Sequence, residues 1–173
     1  MKTLLLALGL AVLTTQAAHA QTREETEKWI TETLQANALE YKTRQSLSPE
    51  KNSGTLTFLT YSDFAFQFED GNFVIRCKAS YAKYMGADAV DKVLMRLPVY
   101  DVVVVPGAIK EGDDSYQISF KTASAAFQYV NETGAYKEEK WLFNIRVPVA
   151  QNEALPQKLK DAFARLKQEY GQP

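Results

Sequence analysis

Mostly apolar residues recur at three- and four-residue spacing in two segments, one near each end of the chain. In the first segment the recurring positions are Trp29, Ile30, Thr33, Leu34 and Ala38. The other face carries Glu27, Lys28, Glu32 and Gln35, as is typical of an amphipathic helix with one buried face. Thr22 and Glu25 fit a capping box, in which each side chain accepts a backbone N–H of the other residue. The pattern predicts a helix from Arg23 to about Asn37.

The second helical pattern lies at the end of the chain. Its apolar stripe consists of Leu155, Leu159, Phe163, Leu166 and Tyr170. Asn152 is placed to cap this helix, and Pro156 falls in the first turn, where a missing N–H is tolerated. Asp161 and Arg165 are spaced for an ion pair across one turn. We therefore expect an amphipathic C-terminal helix.

Between the two helices, apolar and polar residues alternate with the two-residue period of β-strands. The clearest case is a hairpin around Asp70-Gly71, because both central positions of a type I′ turn need positive φ. Its inward positions are Phe64, Phe66 and Phe68 before the turn, and Phe73, Ile75, Cys77 and Ala79 after it. Val102 to Val105 form a continuous apolar run, which predicts a short strand buried on both faces. Trp141, Phe143, Ile145 and Val147 predict the last strand.

The order of elements is a helix, about eight short strands and a helix. Because no βαβ units alternate along the chain, the predicted class is α+β with a mainly antiparallel, strongly twisted sheet or partial barrel. An N-terminal and a C-terminal amphipathic helix would cover an apolar face or an open end. This order is similar to that of helix-capped β folds such as pleckstrin-homology-like and helix-grip domains. The similarity is one of element order, and it implies no activity and no site residue.

Residues 1–20 are typical of a secretory signal peptide. Lys2 supplies the positive charge, Leu4 to Leu13 form the apolar run, and Ala18-His19-Ala20 is a cleavage site. We therefore expect an exported protein, periplasmic or secreted and more in keeping with a bacterial source, with one domain over residues 21–173. Gln21 stands where a lipoprotein has its cysteine, so we expect a soluble mature protein without a membrane anchor.

Composition then narrows the chemistry. The only histidine is His19, so the mature chain has no imidazole for Ser-His-Asp or Cys-His catalysis or for metal binding. We expect no metal and no cofactor. Removing Lys2 from the 20 basic residues leaves 19 against 21 acidic residues, a net charge of −2. Neither sign dominates, so nucleic acid is not expected as a partner.

Two kinds of side chain could still carry catalysis. Cys77 is the only thiol, and its strand phase with Phe73 and Ile75 predicts a buried, inert residue. Carboxylates could act as acid and base without histidine, and four pairs or near pairs occur. They are Glu69/Asp70, Asp88/Asp91, Asp113/Asp114 and Glu138/Glu139. Because turns favour acidic residues and glycine, solvated turn positions explain them better than a catalytic pair does.

The segment around Tyr81, Tyr84 and Met85 has aromatic residues without strand or helix phase. It is the candidate ligand- or partner-binding site, and the alternative is that it plugs one end of the sheet. No catalytic residue can be named. Our first hypothesis is a non-enzymatic exported binding module with a small apolar ligand between sheet and helix. The alternatives are a pocketless interaction domain for an envelope protein and a histidine-free enzyme that uses carboxylates. The oligomeric state stays open.

Overall fold

The computed structural model of this protein describes residues 22–46, 56–82, 89–107, 114–124, 126–131, 137–149 and 154–171. The signal peptide expected at residues 1–20 lies outside them. The helices within these ranges are α1 (Arg23–Asn37), α2 (Leu155–Tyr170) and a 3-10 turn at Val99–Asp101. The strands are β1 (Tyr41–Ser46), β2 (Leu56–Glu69), β3 (Asn72–Ala82), β4 (Ala89–Pro98), β5 (Val102–Pro106), β6 (Ser115–Thr122), β7 (Phe127–Asn131), β8 (Lys137–Lys140) and β9 (Leu142–Pro148).

The strands form two antiparallel sheets. One has six strands in the order β1-β2-β3-β4-β7-β8 and curls into a half-barrel, and the other has three in the order β5-β6-β9. The α+β class with a mainly antiparallel sheet and two helices is confirmed. Within the described ranges, neither helix is long and apolar enough to cross a membrane.

Helix α1 has the predicted bounds and the predicted cap. The Thr22 N–H donates to Glu25 Oε2 at 2.7 Å, and the Glu25 N–H donates to Thr22 Oγ1 at 3.2 Å. Thr26, Ile30 and Leu34 are the buried side chains of its inner face.

Helix α2 differs from the prediction at its start and on its surface. Pro156 lies in the first turn, but the cap position is Ala154, which makes no side-chain cap bond. The predicted cap, Asn152, lies outside the described residues. Arg165 pairs with Glu169, with Nε 3.0 Å from Oε1, rather than with Asp161. Asp161 Oδ1 instead accepts from Gln157 Nε2 at 2.7 Å.

The β2–β3 hairpin confirms the turn prediction. Asp70 and Gly71 have φ values of 47° and 76°, which the type I′ turn requires at both positions. The Gly71 carbonyl then accepts the N–H of Val99 at 2.9 Å, which joins the turn to the end of β4.

Strand β5 corrects one prediction. Val102 and Val104 are buried, but Val103 and Val105 are 38% and 36% exposed. The run is therefore covered on one face only, because α2 packs against β5 and the opposite face, with Val103 and Val105, is exposed.

Backbone bonds on either side of β5 fix which of its groups face outward. The Asp101 carbonyl accepts from Ala123 N–H, and Gly107 N–H donates to the Gln117 carbonyl. Hydrogen-bonded and non-hydrogen-bonded residue pairs alternate along an antiparallel ladder. The backbone groups of Val102, Val104 and Pro106 therefore point away from β6, toward the outer edge of the sheet. Proline costs no ladder bond there.

The segment around Trp141 also differs from the prediction. Strand β8 ends at Lys140 and β9 begins at Leu142, so Trp141 lies in the bend between them. Its side chain is 56% exposed, not part of the inward face of the last strand. The inward positions Phe143, Ile145 and Val147 are buried as predicted. Strand β8 has no apolar alternation and was not predicted.

Aromatic rings fill the space between the two sheets and α2. The ring centroid of Phe73 lies 5.3 Å from that of Phe120 and 5.0 Å from that of Phe163. Phe120 and Phe163 are 5.7 Å apart, so a residue from each sheet and one from α2 meet in a triangle. All three are at most 1% exposed.

Candidate functional site

The concave face of the half-barrel is where a small apolar ligand was expected. The triangle of Phe73, Phe120 and Phe163 occupies its centre, and Phe66 continues the packing at 6.1 Å from Phe73. This part of the interior is therefore filled by the protein's own side chains and has no room for a ligand. An accessible site has to lie at the margins of the core.

A cleft opens at one such margin, between β1 and β2 on one side and β8 and β9 on the other. We call it the seam cleft, and its volume is about 180 Å³. The residues that line it are Tyr41, Thr43, Leu59, Tyr61, Lys140, Leu142, Phe143 and Asn144. They come from four strands, so the cleft exists only because the sheet curls until its first strand approaches its last.

Two hydrogen bonds join the chain at Leu39 and Tyr41 to β9 beside the seam cleft. The Leu39 N–H donates to the Arg146 carbonyl at 2.8 Å, in an isolated bridge to β9. Beside it, the Tyr41 hydroxyl donates to the Asn144 carbonyl. Burial raises the pKa of Tyr41 above its ordinary value, so this hydroxyl stays a donor at physiological pH.

The walls of the seam cleft are aromatic. The rings of Tyr41 and Tyr61 are 5.4 Å apart and tilted, and Tyr61 meets Phe143 edge-on at 5.2 Å. Such contacts fix the ring orientations and leave little freedom to collapse inward. The wall is therefore preformed.

Lys140 is the cation of the seam cleft. Its Nζ lies 4.1 Å from the centre of the Tyr129 ring, a cation–π arrangement. Its charge also acts on Cys77, but burial dominates and raises the pKa of that thiol to about 12. Cys77 is buried, as predicted, and is a protonated thiol at neutral pH.

Most of the predicted site lies outside the residues that the structure describes. Tyr81 belongs to β3 and is paired opposite Leu59 and Ala89, but its side chain is not among those described. Tyr84 and Met85 lie outside the described residues. Because Leu59 lines the seam cleft, the backbone of Tyr81 lies next to one of the cleft residues. The assignment of Tyr81, Tyr84 and Met85 to a binding site stays a prediction.

The carboxylates that the structure describes have structural surroundings. Glu69 lies 3.1 Å from Arg76 and 3.6 Å from Arg96, and Asp70 lies in the hairpin turn. Asp114 and Glu139 are exposed. The remaining members of the four pairs are outside the described residues or side chains, namely Asp88, Asp91, Asp113 and Glu138.

One buried carboxylate was missed by sequence reasoning. Asp101 is 5% exposed, and both of its oxygens accept the Ser124 N–H, at 3.0 and 3.1 Å. It holds the turn after β6, a local role that an isolated acidic residue in the sequence does not reveal. Across the described ranges, no three His, Cys, Asp or Glu side chains come together as metal ligands.

A second depression lies between the two helices. This interhelical groove has a volume of about 400 Å³ and is lined by Thr26, Trp29, Lys158, Asp161, Ala162 and Arg165. Sequence reasoning missed it, because neither helix pattern shows which parts of the two helices meet. Ala162 gave no signal of its own, because Ala164 is an equally small residue on the same helix.

Comparison with known proteins adds no relative. No protein-family model matches this chain, and no curated protein or solved structure matches it.

Proposed function

We propose that this protein is an exported, non-enzymatic binding module whose seam cleft receives an apolar group. The observation that carries the proposal is the open, aromatic-walled cleft between β1–β2 and β8–β9. Export rests on the features of residues 1–20.

The size of the seam cleft favours a small ligand. Pockets for drug-sized molecules are about 300–1,000 Å³, and the seam cleft of about 180 Å³ is smaller. It accepts one ring or a short aliphatic chain between Tyr61, Leu59 and Phe143. Lys140 and Asn144 provide polar groups for an anionic or hydrogen-bonding end of the same molecule.

A binding role also agrees with the reactive groups. The Cys77 thiol is buried and protonated, which disfavours nucleophilic chemistry. Glu69 is engaged with two arginines on the convex face, away from the seam cleft.

The test is native mass spectrometry of the protein expressed with its residues 1–20 and recovered after export. We expect an added mass that organic solvent extracts. Thr43→Tyr places a ring in the seam cleft and should abolish the added mass. Lys42→Tyr is the matched control, because Lys42 is the exposed neighbour outside the cleft lining and this variant should retain the mass. A bare polypeptide mass for the wild-type protein would contradict the small-ligand proposal.

A second candidate is a protein partner from the cell envelope. It is favoured by the filled concave interior and by strand β1, which forms an outer edge of the six-stranded sheet beside the seam cleft. A partner could place one apolar side chain in the cleft and pair its backbone with that edge. A photo-crosslinker at position 43 should then capture an envelope protein, whereas one at position 42 should not. Equal capture from both positions would contradict this candidate.

The predicted site of Tyr81, Tyr84 and Met85 belongs to the same proposal. Substituting these residues with Ser should weaken ligand retention if they border the binding surface. Lower stability with unchanged retention would assign them to the core.

A further inference from the structure

The interhelical groove has a different chemistry from the seam cleft, and the two share no lining residue. Helix α1 contributes Thr26 and Trp29, and α2 contributes Lys158, Asp161, Ala162 and Arg165. These four positions on α2 are three or four residues apart, so they share one face of the helix. The groove is therefore an apolar platform facing a row of polar side chains.

Charge in the interhelical groove is close to balanced. Lys158 and Arg165 stand on either side of Asp161 in the helix, and Arg165 is itself paired with Glu169 at 3.0 Å. An anion would gain from Lys158 and Arg165 but would meet the repulsion of Asp161 and Glu169. A neutral polar ligand avoids that conflict and still finds both donors and an acceptor.

Asp161 and Arg165 are held in place on the helix surface. Asp161 Oδ1 accepts from Gln157 Nε2 at 2.7 Å, and a carboxylate has a second oxygen that can accept a further proton donor. Arg165 is held by its Nε bond to Glu169, and a guanidinium carries four N–H groups besides Nε–H. Side chains restrained in this way lose less conformational freedom when a ligand binds.

We propose that the interhelical groove binds a neutral saccharide through one pyranose ring. A pyranose has an apolar face of C–H groups, which packs on the half-buried indole of Trp29. Its hydroxyls each donate and accept, so they donate to Asp161 and accept from Lys158 and Arg165. The volume of about 400 Å³ accommodates a sugar ring, and small Ala162 keeps the groove open beside Trp29. This site goes beyond the seam cleft and does not depend on it.

Tryptophan fluorescence can test the proposal directly. The chain has two tryptophans, and Trp141 is 56% exposed, so Trp141→Phe leaves Trp29 as the reporter. Glucose, N-acetylglucosamine and the N-acetylglucosamine dimer are titrated into this variant, with sodium sulfate as the anionic probe. We expect a saturable change in Trp29 emission with at least one saccharide, and a dissociation constant on the order of 1 mM.

Variants on α2 provide the control. Ala162→Leu fills the groove and should weaken saccharide binding at least about tenfold. Ala164→Leu makes the same substitution two positions away on the exposed side and should leave binding unchanged. Asp161→Asn preserves the shape, removes the charged acceptor and should also weaken binding about tenfold. Thermal unfolding of each variant verifies that it is folded, and Thr43→Tyr should have no effect on this titration.

Three results would overturn the proposal. One is the lack of a saturable signal with every saccharide, and another is equal weakening by Ala162→Leu and Ala164→Leu. The third is saturable sulfate binding that the saccharides do not displace, which would make the groove an anion site.

Discussion

The β2–β3 hairpin inside the six-stranded sheet and the seam at its outer strand β1 are held together in different ways. At the β2–β3 hairpin, ten residues of each strand are paired, and the two-residue turn sets the register as far as a bulge between Ser62 and Ala65. At the seam, β1 meets β9 through the Leu39–Arg146 bridge and the Tyr41 hydroxyl, across a sequence separation of 103 residues for the Tyr41–Asn144 bond. The hairpin is thus specified locally near its turn and is paired along most of its length, whereas the seam depends on the whole fold and leaves a cleft. The proposed binding site is at the seam, where fewer backbone hydrogen bonds join the strands.

The largest expected effect comes from the core behind the hairpin. Phe73 is fully buried and contacts Phe66, Phe68, Phe120 and Phe163. Phe73→Ala should lower the free energy of unfolding by about 3–5 kcal/mol, through lost burial and a residual cavity. Urea denaturation measures this. Trp141→Ala, at an exposed position, should change stability by less than about 0.5 kcal/mol, and a similar loss in both variants would contradict the assigned core.

The hairpin turn gives the next effect. A Cβ on Gly71 would lie 3.7 Å from Tyr170 Cε1, an ordinary contact, so space does not forbid a side chain. The φ of 76° does disfavour it, and Gly71→Ala should cost about 1–2 kcal/mol of unfolding free energy. Gly71→Asn should cost less, because asparagine tolerates positive φ. Equal costs in urea denaturation would show that the strain argument is wrong.

A smaller effect is expected at the seam. Tyr41→Phe removes the hydrogen bond to the Asn144 carbonyl and should cost about 1 kcal/mol. Hydrogen exchange should show faster exchange of the neighbouring Leu39 N–H, with the amides of β2 and β3 unchanged relative to global stability. Faster exchange spread evenly over both regions would mean that the seam is no weaker than the hairpin.

The smallest effect concerns the contact that Tyr170 makes near the hairpin turn. Its hydroxyl donates to Glu27 Oε1 at 2.6 Å, and Arg23 lies 4.6 Å from its ring centre. Burial, and then the bond to the Glu27 carboxylate, raise the pKa of Tyr170 to about 12. The raised pKa means that its stabilisation is complete below pH 10 and is lost as pH rises toward 12.

Because the Tyr170 hydroxyl is partly solvated, this contribution should be below about 1 kcal/mol. The test is to measure the unfolding free energies of the wild-type protein and of Tyr170→Phe between pH 9 and the folded-state pKa of about 12. The two values should converge as pH rises. A constant difference would contradict the assigned linkage.

Local signals explain what could be predicted from the sequence. The capping box of Thr22 and Glu25 and the turn at Asp70-Gly71 act over a few residues, so α1 and the hairpin were predicted correctly. Strand β8 is Lys-Glu-Glu-Lys, with no apolar alternation, and is extended because it pairs with β7. The exposure of Val103 and Val105 likewise depends on which face of β5 is covered by α2, which only the completed fold determines.

The candidate sites were harder to predict for the same reason. Tyr41, Leu59, Lys140 and Phe143 line one cleft, although up to 102 positions separate them in the sequence. Nothing in their local patterns connects them before the sheet curls. Trp29 and Ala162 are likewise brought together only by the packing of α1 against α2.

The outward edge of β5 has a consequence for encounters between copies of the chain. Four consecutive valines in an extended edge strand are a composition that favours cross-β association. Of the three residues on that edge, Val102 already donates its N–H to the Val99 carbonyl, and Pro106 has no N–H. Of these three residues, Val104 is left to donate a backbone N–H to a strand of another chain. Pro106 therefore disfavours the addition of a further strand at this edge, and Pro106→Val would supply a second backbone donor there while barely altering the fold of the chain.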